Sequence, residues 1–210
     1  MQSAAAREPV APHDEGARER ILRSAELLFA ERGFPNVTVA DIAAACDVST
    51  GLIYYHFEDK PSLFKAIVDE GVAALLDSGQ QALSTEGTAA ERIRRWIRAY
   101  ISSVLEHENL VRIVTSTRAS DERTTYSLAG FAPVIAALAA TISEGIEAGE
   151  FREIDPVMAA ECLVGMAHIR VASRILGGPE GTDLDGAAEW DPDDAADFVA
   201  SLFVDGIRPC

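Results

Sequence analysis

The sequence predicts an all-α fold of about nine helices. Three observations carry it: apolar residues recur at three- and four-residue spacing along most of the chain, capping residues and Gly or Pro cut that pattern into helix-length pieces, and no segment shows the strict alternation of a half-buried strand. No internal repeat interrupts the pattern. The pieces group into a flexible arm over residues 1–13, a short three-helix unit over 14–61 and a larger helical domain over 62–210.

The first helix runs from about residue 14 or 16 to Arg32, with Ile21, Leu22, Ala25, Leu28 and Phe29 as one apolar stripe. Gly33 ends it and Pro35 prevents its continuation. Thr38 opens the second helix as N-cap, with Asp41 completing a capping box, and Val39, Ile42 and Ala43 facing a core. Ala43, Ala44 and Ala45 allow a close crossing. The turn falls at Cys46-Asp47, where Asp tolerates a left-handed conformation. Ser49 caps the third helix, over residues 49–57, and Val48 and Ile53 form a hydrophobic staple around it. Two short helices joined by a tight turn are a helix-turn-helix. The unit they make with the first helix is of homeodomain-like form.

Asp59 and Pro61 start helix four, whose Leu63, Phe64, Ile67, Val68, Val72, Leu75 and Leu76 form the next stripe, with Gly79 marking its end. Thr88 and Glu91 make a second capping box. The helix after it carries Ile93, Trp96, Ile97, Tyr100, Ile101, Val104 and Leu105, with Arg92, Arg94, Arg95 and Arg98 mostly off that stripe as a solvated face paired with acidic neighbours. A short helix follows over 109–117, then a long one over 122–148 that Pro133 kinks or interrupts. Asp155-Pro156 starts a helix to Leu176 that is apolar nearly all round and therefore buried on more than one side. Gly177-Gly178-Pro179 stops it, an acidic loop covers 180–191, and the last helix presents Ala195, Phe198, Val199, Leu202 and Phe203.

Composition sets bounds on function. A hydrophobic content of 48% with 25% charged residues belongs to a soluble globular protein, and the first dozen residues lack the apolar segment of a secretory leader. Three scattered cysteines, Cys46, Cys162 and Cys210, argue for a reducing cytoplasm rather than a disulfide framework. No run of apolar residues is long enough to span a membrane. The net charge of −16 opposes non-specific binding to DNA, so any affinity has to come from the charge on the contacting face and be strongly salt-sensitive.

The stretch VSTGLIYYHFEDKPSLF resembles the recognition helix and following turn of TetR-family transcriptional regulators. From about Arg20 to Leu63, Gly33, Phe34, Thr38, Ile42, Ala43, Val48, Ser49, Tyr54, His56, Phe57 and Lys60 fall in that family's order and spacing. Asp47 departs from it, since the family commonly has Gly there. The resemblance implies a DNA interface in which Tyr54, His56 and Lys60 contact phosphates, Tyr55 turns towards the next residues of the site, and Thr38 or the helix it caps meets a phosphate. Ser49 adds a donor, and Thr50 and Gly51 lie where side chain or bare backbone approaches base edges. From the residues alone, one of the two tyrosines is expected to be a core aromatic, since neighbours on a helix point about 100° apart. No Arg, Asn or Gln lies between Ser49 and Phe57, so the usual bidentate contacts to guanine or adenine are missing, and DNA shape has to carry part of the specificity.

The same resemblance makes the larger domain an effector-binding and dimerisation domain. Trp96, Tyr100, His107, Phe131, Met158, Cys162, Met166 and His168 are an apolar set with a few polar handles that suits a small, largely hydrophobic ligand, and each equally suits a plain core. Arg112, Arg118 and Arg170 are candidates for an anionic group. Val164, Val171, Phe198, Val199, Leu202 and Phe203 are the expected dimer contacts, two helices per chain forming a four-helix interface. No metal-ligand, nucleophile or phosphate-loop pattern is present, which leaves no catalytic residue, no metal and no cofactor to assign. The reading is a cytoplasmic, homodimeric, ligand-responsive repressor of a palindromic DNA operator. The alternative is a dimeric ligand-binding or interaction module whose helix-turn-helix is vestigial.

Overall fold

A computed structural model describes residues 13–117, 131–176 and 191–209. Nine α-helices lie among them: α1 His13–Arg32, α2 Val39–Ala45, α3 Thr50–His56, α4 Lys60–Leu83, α5 Ala89–Glu106, α6 Glu108–Thr117, α7 Ala132–Glu147, α8 Pro156–Leu176 and α9 Pro192–Ala200. A 3-10 turn, Phe34–Asn36, joins α1 to α2, and a π-type turn, Ser201–Asp205, continues α9. No strand occurs among the described residues. The chain forms two compact units that divide between Ile67 and Val68, within α4.

The first unit packs α1, α2 and α3 around Ile21, Ala25, Phe29, Ile42 and Ile53, with Leu63, Phe64 and Ile67 supplied by the first turns of α4. Phe29, Phe34 and Phe64 meet as an aromatic trio with ring centroids 4.9–5.9 Å apart, tilted or edge-on as their quadrupoles prefer. Gly33 takes φ 77° where α1 ends, and Asp47 takes φ 53° at the turn of the motif. Where the resemblance implies Gly, the chain therefore carries one of the few other residues that tolerate that region. Of Ala43, Ala44 and Ala45 only Ala43 enters the helix contact, while Ala44 and Ala45 face solvent.

In the second unit α5 lies at the centre, packed against α7, α8 and α9. Its buried stripe of Ile93, Trp96, Ile97, Tyr100, Ile101 and Val104 meets Leu138 and Ile142 of α7, Leu163, Ala167 and Val171 of α8, and Val199 of α9 in one core. The arginines of α5 bind acidic neighbours as expected: Arg92 pairs with Glu144, Arg94 with Asp205 (2.8 Å) and Arg98 with Asp197 (2.5 Å), and Arg95 donates to the Glu86 carbonyl. The Thr88–Glu91 capping box forms, and Glu150, sixty residues on, accepts the Ala89 and Ala90 N–H groups at 3.1 and 3.0 Å.

Two helix boundaries and the burial of one helix differ from the sequence reading. Helix α4 runs through Gly79 to Leu83. The glycine is required by packing: a Cβ there would sit 2.7 Å from Nε1 of the Trp96 indole. Helix α7 begins at Ala132 with Pro133 in its first turn, so the proline marks a helix start, as one of the two expectations had it, and does not kink a longer helix. Residues 118–130, where the helix was expected to begin, lie outside the described residues, as do Arg118, Cys210 and the acidic loop over 180–190. Finally, α8 is buried on one face only, and its other apolar face is exposed.

Candidate functional site

The helix-turn-helix surface is assembled from local caps and two core anchors. At the start of α2 the Thr38 hydroxyl accepts the Asp41 N–H (3.1 Å), while the Asp41 carboxylate accepts the Thr38 N–H (2.8 Å) and the Thr38 hydroxyl proton (2.5 Å). These bonds to the Thr38 side chain and backbone hold the Asp41 carboxyl below its ordinary value. The Thr38 hydroxyl proton is thus spent within the capping box. At α3 the Ser49 oxygen accepts the Leu52 N–H at 3.2 Å.

Ile53 and Phe57, both buried, turn one side of α3 into the core. The opposite side presents Thr50, Gly51, Tyr54 and Tyr55 to solvent. The expectation that one tyrosine is a core aromatic is corrected: Tyr54 is 55% and Tyr55 65% exposed. Ile53 and Phe57, four residues apart, already fill the inward position, and both tyrosines are rotated off it. A Cβ at Gly51 would lie 3.7 Å from the Ser49 oxygen, an ordinary contact, so neither packing nor backbone angle requires the glycine. Half-buried His56 stands edge-on to the Tyr55 ring, with centroids 5.2 Å apart.

Lys60 is folded back on its own unit. Its ammonium donates to the Phe34 carbonyl (2.9 Å) and the Val37 carbonyl (2.8 Å) and lies 4.2 Å from the centre of the Phe34 ring. An ammonium has three donors, so this geometry places two of them on carbonyls. Sequence reasoning missed Arg18 of α1, whose guanidinium carbon lies 5.5 Å from the centre of the Phe57 ring at the end of α3. The signal was its register, one turn before the buried Ile21.

In the second unit the candidate ligand residues separate into two groups. Trp96 stacks on Tyr100 with centroids 5.1 Å apart, the Tyr100 hydroxyl meets His168 Nδ1 at 2.9 Å, and Phe131 stands edge-on to His168 at 5.6 Å. Burial raises the Tyr100 pKa well above the ordinary tyrosine range. Met166 is half-buried against the same core. His107 instead sits at the C-terminus of α5, its Nδ1 2.8 Å from the Ser103 carbonyl. Met158 and Cys162 lie on the outer face of α8 and are corrected out of the cluster: helical spacing turns them away from Leu163 and Ala167, which face the core. A cavity of about 30 Å³ borders Trp96, lined by Leu76, Gly79, Gln80, Leu83, Pro133, Val134 and Ala137.

The expected dimer contacts divide as well. Val164, Val171, Val199 and Phe203 are buried within the chain's own core, so they have little surface to offer a partner. Phe198 (61% exposed) and Leu202 (54%) point outward, and so do Met158 (63%) and Ile169 (65%) of α8. Of the six expected contacts only Phe198 and Leu202 are free of the chain's own core.

Residues 21–67 match a family model described as bacterial regulatory proteins of the tetR family, and residues 86–169 match one described as a tetracyclin repressor-like C-terminal domain. Together the two matches take in more than half of the chain. It belongs to the TetR family of transcriptional regulators. This TetR-family chain is 47% identical over 51 residues to the transcriptional repressor BepR of Brucella suis, a match covering 24% of each protein. It is 30% identical over 100 residues to the probable transcriptional regulator YttP of Bacillus subtilis, covering 46% of this chain and 48% of YttP. The chain thus matches about a quarter of the length of BepR and about half that of YttP. Its fold is similar to that of FadR from Bacillus subtilis in complex with stearoyl-CoA, with a TM-score of 0.73 at 21% identity, covering 90% of this chain and 99% of FadR. Among the described residues, no group of His, Cys, Asp and Glu is placed to hold a metal ion and no helix is long and apolar enough to cross a membrane.

Proposed function

We propose that this TetR-family regulator is a homodimeric, non-catalytic repressor of the cytoplasm that binds a two-fold DNA site through two copies of α3 and is released by a largely hydrophobic effector. The observation that carries the DNA reading is the exposed face of α3. Thr50, Gly51, Tyr54 and Tyr55 stand clear of the core on a helix anchored from behind by Ile53 and Phe57. Gly51 lowers helix propensity by about 1 kcal/mol without a packing reason, which suits close approach of backbone to DNA. Phosphate contacts come from Tyr54, His56 and the third Lys60 donor, with Thr38 acting through the helix end it caps and Ser49 as an added donor. Base readout falls to Thr50 and to DNA shape.

Dimerisation rests on the outer faces of α8 and α9, where Met158, Ile169, Phe198 and Leu202 leave apolar surface that a second copy would cover. Two half-sites then follow from the two-fold axis.

The effector reading rests on the Trp96, Tyr100, Phe131, Met166 and His168 cluster. A cavity of about 30 Å³ holds roughly one water, whereas small-molecule sites run to about 300 Å³ or more. A ligand seated in that cavity therefore requires the core around Trp96 to open, which selects a different conformer. The fold neighbour that holds stearoyl-CoA makes long-chain acyl-CoA the first ligand to try.

The test is selection of bound DNA from genomic fragments at low salt, followed by salt titration. Recovery of a two-fold site, with Tyr54→Phe weakening all sequences alike and lowering the salt slope, supports the reading. The net charge of −16 favours a second reading, the ligand-binding or interaction module with a vestigial helix-turn-helix. Failure to bind any DNA at low salt establishes that second reading instead.

A further inference from the structure

We propose that Trp96 is the residue that passes a change at the Tyr100–His168 pair to helix α4, and that Gly79 is its seat. The inference rests on the effector reading above and deepens it. Four side chains make an unbroken series across two helices and the start of α7: Phe131 on His168, His168 on the Tyr100 hydroxyl at 2.9 Å, and the Tyr100 ring on the Trp96 indole. The far edge of the indole rests against α4 at Gly79, where the position of a Cβ would be 2.7 Å from Nε1 and 3.2 Å from the neighbouring ring carbon.

Two features make this series a transmission element and not only a packed core. Trp96 is 1% and Tyr100 3% exposed, so neither ring can swing into solvent when its neighbour moves. The indole's adjustment has to be taken up inside the protein. The cavity of about 30 Å³ lies where that happens, bordered by Trp96, by Leu76, Gly79, Gln80 and Leu83 of α4, and by Pro133, Val134 and Ala137 of α7. A dense interior resists small displacements, but one with a void beside a large rigid ring permits a second packing arrangement. Gly79 also explains itself on this basis. A glycine in mid-helix costs about 1 kcal/mol relative to alanine, and here it lets a ring lie against the α4 backbone. Helix α4 is continuous from Leu83 to Lys60, and its first turns supply Leu63, Phe64 and Ile67 to the core of the DNA-binding unit.

A ligand that competes for the Tyr100 hydroxyl or the His168 ring breaks the 2.9 Å bond and frees the tyrosine ring to shift against Trp96. The indole then moves into the cavity or presses on Gly79, and either displacement biases the position of α4. The pair acts through Trp96, so Trp96 is a positioning residue.

Coupling between the two ends is measured with a double-mutant cycle that needs no effector. His168→Ala is made in the native background and in Trp96→Phe, and affinity for DNA selected from genomic fragments is determined for all four chains. The relay predicts that His168→Ala changes affinity by about threefold or more with Trp96 present and leaves it nearly unchanged with Phe at that position. Equal changes in both backgrounds overturn it, whatever the melting temperatures do. A chain that binds no DNA refutes the function proposed above but not the relay. The Gly79 amide resonance then decides: His168→Ala has to shift it in the native background and not in Trp96→Phe, and a Gly79 resonance indifferent to His168→Ala removes the proposal. Should His168→Ala unfold the chain, Tyr100→Phe, which deletes only the hydroxyl, takes its place in both cycles under the same two criteria, and should Trp96→Phe unfold it, Trp96→Leu takes its place.

Discussion

Lys60 has a structural role beside the phosphate contact proposed for it, and the sequence could not separate the two. Its ammonium is placed on the Phe34 and Val37 carbonyls and against the Phe34 ring, closing the turn between α1 and α2. Hydrogen bonds to a charged group contribute about 1.5–3 kcal/mol. Lys60→Met is therefore expected to lower the stability of the DNA-binding unit by about 2 kcal/mol as well as weaken DNA binding. Tyr54→Phe, at an exposed position, is expected to weaken DNA binding with no change in unfolding midpoint, and urea denaturation of both variants checks the contrast. A second residue-scale expectation concerns pH. Hydrogen bonds from Thr38 hold the Asp41 carboxyl below its ordinary value of 3.8, so the folded state binds a proton less readily than the unfolded chain. That contribution is complete above the ordinary value and is lost as pH falls through the lowered one. An NMR titration should show Asp41 ionising below pH 3.8, and Asp41→Asn should abolish that step.

Helix starts were legible because the groups that satisfy them are close in sequence. Thr38 with Asp41, Ser49 with Leu52, Thr88 with Glu91, and Asp155 and Asp191 with the N–H groups two and three residues on all form as their spacing implies. Helix ends and interiors were less legible. Gly79 reads locally as a terminator, yet α4 passes through it because the Trp96 indole needs the space. The cap that Glu150 provides at α5 comes from a loop sixty residues away, with no local sign. Removing it leaves two N–H groups at a helix N-terminus without their carboxylate, so Glu150→Ala is expected to cost about 1–2 kcal/mol. Glu150→Gln, which keeps an acceptor but not the charge, should recover part of that loss in thermal denaturation.

At the scale of the molecule, the formal charge of −16 and the apolar outer face of α8 and α9 pull in different directions. The negative charge opposes DNA on average, while the apolar stripe is surface that the proposed second copy would cover. Ile169→Asp and Phe198→Glu, both at exposed positions, are expected to give a folded monomer by light scattering, with unchanged helical content. With DNA bound through two copies of α3 as proposed, the same variants should lose affinity for a two-fold site by about tenfold or more while keeping the weak binding of a single half-site. A dimer that survives both substitutions places the interface elsewhere.

The sequence by itself determined the all-α class, the helix starts, the helix-turn-helix and its family, because each is written in spacings of four residues or fewer or in a compact motif. The structure alone decided which half of each apolar stripe turns inward. Val164, Val171, Val199 and Phe203 entered the core, and Met158, Ile169, Phe198 and Leu202 were left outside it. It also decided that Tyr54 and Tyr55 both face out, that Lys60 folds back on two carbonyls and that Gly79 seats Trp96. The physical reason is common to all of these. A helix that is apolar on two sides has no local preference between them, and the choice is made by partners brought into contact from distant parts of the chain.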